Sequence, residues 1–334
     1  MTEKTWDIMK PIGKTISYWS QQDSYAAPTY YRFGPVIDRY ARKVFRVPAG
    51  GRADWLEHLL STVTLRGEIP FGRVLSLCCG FGHVERALAR ENFGTEILGI
   101  DVSQAALDEA TRMAREERIG NIRYQFQDVN RLTLEEGEYD CIYVSGGLHH
   151  LENVDSVMGT VAKGIRKGGY FIAFERIGPQ YGYPSNSEME VLNAVMHLLP
   201  QEFRPQFKIK GGRTLKGVVE DGIKRIINRL NQKTSPGRVF FPPPPLYWKL
   251  AEPSECISSH LIVNAVQREF PAGQVFFLNG GLLAYLTGAG FLASYKEGYP
   301  AHVRLLESLF LLEDALTDLG RIRCVDAVFI CQKD

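Results

Sequence analysis

Two glycines at the end of a short apolar run are the first residues in this chain whose spacing suggests chemistry. The run from Arg73 to Cys79, RVLSLCC, leads into Gly80-Phe81-Gly82, and the helical pattern HVERALAREN follows. Glycines there let backbone approach a ligand, and a helix N-terminus favours an anionic group. About 20 residues on, TEILGID ends at Asp101, a spacing that suits a carboxylate accepting hydrogen bonds from ribose hydroxyls. A third run, IRYQFQD, ends at Asp128. In a dinucleotide fingerprint the third glycine position takes Gly or Ala, but here it is Glu85, whose carboxylate would repel a pyrophosphate. No G-x-x-x-x-G-K-[ST] occurs, so a P-loop is excluded. A ligand with a ribose and a cationic group fits this set better than a dinucleotide.

A second set could move protons. His149 and His150 follow the run YDCIYVSGGL, Glu175 ends GGYFIAFE, and His260 lies in SSHLIVNAVQREF. Each also has an ordinary structural reading: packed loop histidines, a strand-end carboxylate paired with Arg176, a histidine on a helix surface. Adjacent histidines on a loop chelate poorly, and none of the six cysteines forms a C-x-x-C pair, so no metal is expected. Cys78, Cys79, Cys141, Cys256, Cys324 and Cys331 read as small buried hydrophobes in a reducing compartment, which predicts a cytoplasmic protein.

Strands alternating with helices must position these residues. SQAALDEATRMAREERIG predicts a helix with Ser103 as N-cap and Gly120 as C-cap, and DSVMGTVAKGIRKGG predicts another before the strand GGYFIAFE. This alternation means βαβ units around a parallel sheet. After Glu175 it stops. SEMEVLNAVMHLLP, SSHLIVNAVQREF, NGGLLAYLTGAG and HVRLLESLFLLEDALTDLG read as helices, GQVFFLN and RCVDAVFICQK as strands, and FPPPPLYW as a stiff extended segment. An amphipathic helix is expected through Val219, Ile223, Ile226, Ile227 and Leu230. The 334 residues are 45% apolar and 23% charged, which excludes a disordered, collagenous or coiled-coil chain. Met1–Lys10 lacks an apolar stretch, so no secretory signal is expected, and no apolar run reaches the roughly 18 residues of a membrane span.

In order, VLSLCCGFG, LGIDVS, FQDVN, YDCIYVSGGLHHLENVD and IRKGGYFIAFE resemble the motifs of class I S-adenosylmethionine-dependent methyltransferases, over residues 73–175. FERIGP, LLPQEFR, EPSECISS and LLEDALTDLG extend the resemblance, more loosely, to a bacterial small-molecule subgroup. The resemblance implies an α/β fold: a Rossmann-like doubly wound sheet with a helical N-terminal extension and a C-terminal cap insertion. The expected divisions are 1–70 (the extension, a candidate lid with Tyr18, Trp19, Tyr25, Tyr30 and Tyr31), 71–178 (cofactor core), 179–272 (cap) and 273–334 (completion of the sheet).

By position, the resemblance places Cys79, Gly80 and Gly82 beneath the methionine part of S-adenosylmethionine. Asp101 holds the ribose and Val102 meets the adenine. Asp128 accepts from the adenine amino group, Val129 lies beside it, and Ser145 stands near the methionine end. Two positions depart from the family: Ser76 stands where an acid is usual, and Cys78 where a glycine is usual. Glu85 is expected to supply the missing carboxylate toward the methionine ammonium. His149-His150 occupies a usual active-site loop, and His260 stands where the subgroup tends to have an acid, so His150, His149, Glu175 and His260 are the catalytic candidates.

The expected activity is methyl transfer to a hydroxyl or amine of a small, anionic metabolite, in natural-product or surface-glycan biosynthesis. SGGLHH replaces the [DNS]-P-P-[YF] of many enzymes that methylate base amines, which disfavours DNA. The near balance of 39 basic and 38 acidic residues hides a cancellation: Arg204–Arg238 holds ten basic residues and two acids, leaving −7 on the remainder. That segment can be read as the site of an anionic substrate, as an RNA contact, or as a solvated helix and loop with no partner. An RNA methyltransferase and a non-catalytic binding protein of the same fold stay open as alternatives. The expected partner is a small-molecule acceptor, with nucleic acid disfavoured, no membrane, and a homodimer left open.

Overall fold

The computed structural model describes residues 33–45, 69–204, 242–288 and 291–334. The lid aromatics Tyr18 to Tyr31, the basic residues beyond Arg204 and the helix through Val219 and Leu230 lie outside the described residues.

Seven strands form one sheet: β1 (Phe71–Leu77), β2 (Gly94–Asp101), β3 (Ile122–Phe126), β4 (Tyr139–Ser145), β5 (Ile165–Arg176), β6 (Gln274–Phe277) and β7 (Asp326–Gln332). Their order is β3-β2-β1-β4-β5-β7-β6, with β7 antiparallel to both neighbours and the first five strands parallel. Strands buried on both faces read as continuous apolar runs, as VLSL in β1 and AVFIC in β7 do. Helices α2 (His83–Arg90), α3 (Gln104–Glu116) and α4 (Val154–Gly164) connect the parallel strands. Because β1 has β2 on one side and β4 on the other, the chain reverses direction across the sheet there, and a crevice opens at the carboxyl ends of β1 and β4. Both faces carry a core: Val74, Ile97, Tyr143, Ile172 and Val328 on one, Leu75, Ile142, Val144, Phe171 and Phe329 on the other.

The Ser103 cap is as expected, its hydroxyl accepting from the Ala106 amide at 3.4 Å. Three boundaries differ. The third helix stops at Glu116, and Arg118 rather than Gly120 takes the left-handed conformation after it. Helix α4 ends at Gly164, where a Cβ would lie 2.4 Å from Leu134 Cδ1, and Ile165 already pairs with Tyr139 of β4. In FPPPPLYW, Pro245 begins a helix, since its fixed φ suits a first helical position.

The remaining helices fasten the ends of the chain to this sheet. They are α1 (Gly34–Phe45), α5 (Asn186–Leu198), α6 (Pro245–Ala251), α7 (Ile262–Glu269), α8 (Leu283–Gly288), α9 (Phe291–Ser294) and α10 (Pro300–Asp318). In α1, Arg39 pairs with the buried Glu313 of α10 at 2.9 Å, and Tyr40 donates to Asp326 at the start of β7. Ser185 and Glu188 form a capping box on α5, and the Glu188 carboxylate also takes three hydrogen bonds from Arg323 just ahead of β7. No helix among the described residues is long and apolar enough to cross a membrane.

Burial opposes ionisation of Glu188, but Arg323 and the Ser185 amide hold its carboxyl at about 2. Its stabilisation is therefore present in full above about 4.5 and is lost as pH falls toward 2. Glu188→Ala removes a cap and a charge-assisted bond, and should cost about 2–3 kcal/mol in urea unfolding at pH 7. The gap to the wild type should narrow steadily below pH 4.5.

Candidate active site

The glycine loop after β1 turns through three left-handed residues, Cys78, Gly80 and Gly82. Gly82 allows nothing larger, because a Cβ there would fall 2.2 Å from the Tyr124 hydroxyl. Cys78 stands where glycine is usual, and the chain compensates across the crevice. A Cβ on Gly147 would lie 2.5 Å from Cys78 Cβ, so a bare backbone at 147 makes room for the thiol. Burial pushes the Cys78 thiol well above its ordinary value, so it is a packed neutral group.

Asp101 shapes this loop from the end of β2. One carboxylate oxygen accepts from the Gly80 amide at 2.9 Å and the other from Ser103 at 2.8 Å. Burial raises its pKa against those bonds. Asp128 caps the single turn Val129–Arg131, accepting from the Asn130 amide at 2.9 Å. Val129 is buried, and Val102, Cys79 and Ser145 are half-buried. The expected cofactor residues thus gather at the ends of β1 to β4.

Ser76 and Glu85 form a pair. Ser76 is buried in β1 and donates to Glu85 Oε1 at 2.6 Å. Glu85 is 3% exposed, and its Oε2 has no hydrogen-bond partner among the described residues. Burial raises its pKa to about 7. The carboxylate absent from the strand at Ser76 therefore stands beside it, delivered from the first turn of α2.

Across the crevice, Glu175 ends β5 fully buried. One oxygen accepts from the Gly147 amide at 2.5 Å and the Leu148 amide at 2.7 Å; the other takes the His149 Nδ1 hydrogen at 2.9 Å. Burial disfavours a charged His149, but Glu175 raises its pKa overall. His150 stacks on His149 with ring centroids 4.1 Å apart, and burial together with His149 pushes its pKa down to about 4. Ser254 donates to Glu252 at 2.6 Å and lies 3.1 Å from His150 Nδ1.

The segment carrying these residues is laced onto the sheet. Ser258 bonds the His149 and Leu148 carbonyls, Ser259 bonds Pro179, and the Tyr181 amide bonds the Cys256 carbonyl. It brings Glu252 and Glu255 to the histidines. Burial works against Glu255 ionisation, yet His150, His149 and Arg176 hold its carboxyl below the usual value. Sequence reasoning missed Glu252, Ser254 and Glu255; the signal was the two acids three apart in EPSECISS. His260 is exposed instead, because its neighbours Ser258 and Ser259 turn inward. Glu175 is already engaged by four donors, the Arg176 amide at 3.2 Å being the fourth, which makes it a strut for the loop.

A family model described as a methyltransferase domain matches residues 74–169. Over 122 residues the chain is 25% identical to a demethylmenaquinone methyltransferase of Leptospira interrogans, covering 35% of this chain and 48% of that protein. Over 130 residues it is 30% identical to a ubiquinone biosynthesis O-methyltransferase of Coxiella burnetii, covering 38% and 53%. The chain spans about half the length of these relatives. A solved S-adenosylmethionine-dependent methyltransferase from Mesorhizobium loti aligns over 83% of this chain and 97% of its own, with 19% identity and a TM-score of 0.44.

A buried carboxyl raised to about 7 favours the neutral form on folding. Its contribution is full below about 4.5 and disappears as pH rises to about 7, a change of at most about 3 kcal/mol. Glu85→Gln avoids that loss. In ligand-free protein at pH 8 its melting midpoint should exceed the wild type's, and the advantage should vanish near pH 4.5.

Proposed function

We propose that the protein, whose residues 74–169 form a class I S-adenosylmethionine-dependent methyltransferase domain, transfers a methyl group to a hydroxyl of a small molecule. One observation carries this reading. The Gly146–His150 turn packs against the glycine loop through Gly147 and Cys78, and meets the Glu252–Ser258 segment through His150 and Ser254. A cofactor cradle and a proton-handling cluster are thereby neighbours at the strand ends.

The residues of the cradle suit the cofactor. A Cβ on Gly80 would meet nothing within 4 Å, so the loop borders open space, and Glu85 keeps an unpartnered oxygen in a buried position. In this reading Glu85 takes the ammonium of the methionine part and Asp101 the ribose hydroxyls. Asp128 and Val129 take the adenine with Val102, and Cys79, Gly80, Gly82 and Ser145 flank the methionine. Bound there, S-adenosylmethionine supplies an electrophilic methyl group on a sulfonium centre.

The protein's part is alignment, exclusion of water and removal of the acceptor proton. Glu175 fixes the turn, while His149, His150, Glu252 and Glu255 receive the acceptor oxygen and its proton. The cluster is largely buried, which keeps bulk water from competing for the methyl. The O-methyltransferase name of the Coxiella burnetii relative favours oxygen as the accepting atom. The net +8 of Arg204–Arg238 favours an acceptor that carries an acidic group.

Calorimetry with S-adenosylmethionine tests the reading, and saturable one-to-one binding is expected. Glu85→Gln should weaken it tenfold or more, the range of a charge-assisted hydrogen bond. Wild-type affinity should fall as pH drops through about 7, because Glu85 must then give up a proton to bind a cation. With hydroxylated aromatic and sugar acids as acceptors, His150→Ala should lower turnover by about 10²–10⁴-fold while cofactor affinity holds. A wild-type protein that does not bind the cofactor overturns the proposal.

A further inference from the structure

We propose that His150, Glu252 and Glu255 form a site for a first-row divalent cation, Zn²⁺ or Mn²⁺, at the acceptor end of the crevice. A ring nitrogen of His150 and one carboxylate oxygen from each glutamate lie within 4.8 Å of one another. Ligand bonds of about 2.0–2.2 Å around one ion require a closer approach, which small side-chain rotations supply. The inference deepens the methyl-transfer reading, on which its catalytic meaning rests; the ion site itself stands on its own geometry.

The donor chemistry is specific. One imidazole and two carboxylates suit zinc, manganese or iron(II) better than calcium or magnesium, which prefer all-oxygen shells. Three protein ligands leave positions open, as catalytic sites do. Those positions would take oxygen donors of the acceptor, such as a hydroxyl beside a carboxylate or a second hydroxyl. An ion there polarises the hydroxyl and eases transfer of its proton to the neighbouring His149, the member of the cluster left free of the ion.

The surroundings support ligands already oriented. Glu252 is wholly buried, and its other oxygen is held by Ser254, which also faces His150. Metal-binding side chains are characteristically fixed in this way by outer hydrogen bonds. His149, held by Glu175, joins Glu255 and Cys256 in a second set of donors within 4.8 Å, so Glu255 sits between two clusters. A cation beside the buried Glu252 and the half-buried Glu255 would offset the cost of holding two carboxylates close together. Arg176 faces Glu255 but is shared with Asp326, at 3.8 Å. An ion among His150, Glu252 and Glu255 supplies the remaining positive charge.

Sequence spacing misses such a site, because its histidine and its acids are about 100 residues apart and meet only through the cap segment.

The test is titration of chelator-stripped full-length protein with CoCl₂, read by visible absorption, alongside S-adenosylmethionine calorimetry on the same preparation. Cobalt should saturate at one equivalent with a Kd in the micromolar range or tighter. His150→Ala and Glu255→Gln should each weaken it at least tenfold, with unchanged circular dichroism and unchanged cofactor affinity. If one variant loses its fold, the other decides. Absence of saturable cobalt binding, or binding equally tight in the folded variants, overturns the ion site. Cofactor binding without cobalt binding overturns the ion site alone. Cobalt binding without cofactor binding upholds the site and overturns the methyl-transfer reading.

Discussion

The Glu175 carboxylate is the constraint on which the rest of this site depends. It is the penultimate residue of β5 and has no exposure to water, yet it meets donors on both oxygens: the amides of Gly147, Leu148 and Arg176 and the His149 imidazole. A buried carboxylate without partners would be expensive; one that receives four hydrogen bonds is a rigid post. The turn it holds has a second constraint on its far side, where Gly147 must pass close to Cys78. Its third is the cap segment, whose Ser258 bonds the carbonyls of Leu148 and His149. The cofactor loop, the histidines and the cap are thus positioned through one short stretch of backbone, and the strand-end acid sets its path.

Two departures from the usual pattern of the family become intelligible as paired exchanges. Ser76 replaces an acid inside a strand, and Glu85 arrives from the adjoining helix to put a carboxylate against it. The pairing changes more than location. The carboxylate comes from a helix turn and stays buried, so its pKa is raised to about 7. Cys78 replaces a glycine in a left-handed turn, and the side chain it adds is accepted because its neighbour across the crevice has none. A side chain at 147 would collide with Cys78, so that exchange depends on the bare backbone opposite it.

The half of the site that was legible in the sequence is the half encoded locally. Gly80, Gly82, Asp101 and Asp128 each follow directly on the strand that places them, so a strand end and a residue type were enough. The acceptor half is encoded at long range. Glu252 and Glu255 read as two acids of a loop until the cap laid them against His150. His260 drew attention as a histidine, but the one-turn helix that carries it uses its serines to bond inward and leaves the ring outside. The end of α4 is hidden from the sequence for a related reason: the helical pattern runs on past Gly164, and only the packing of Leu134 over that glycine shows why the helix stops there.

The division has a functional consequence. The matched methyltransferase-domain segment ends at residue 169, six residues before Glu175 and well before the cap. That segment contains the glycine loop, Asp101, Asp128 and the turn that carries both histidines. Glu175, Glu252, Ser254 and Glu255 lie outside it. The physical link between the glycine loop and the cap is narrow, a turn of five residues from Gly146 to His150. A displacement of Glu252–Ser258 would have to reach the glycine loop through that turn, which Glu175 anchors by its hydrogen bonds to the Gly147 and Leu148 amides.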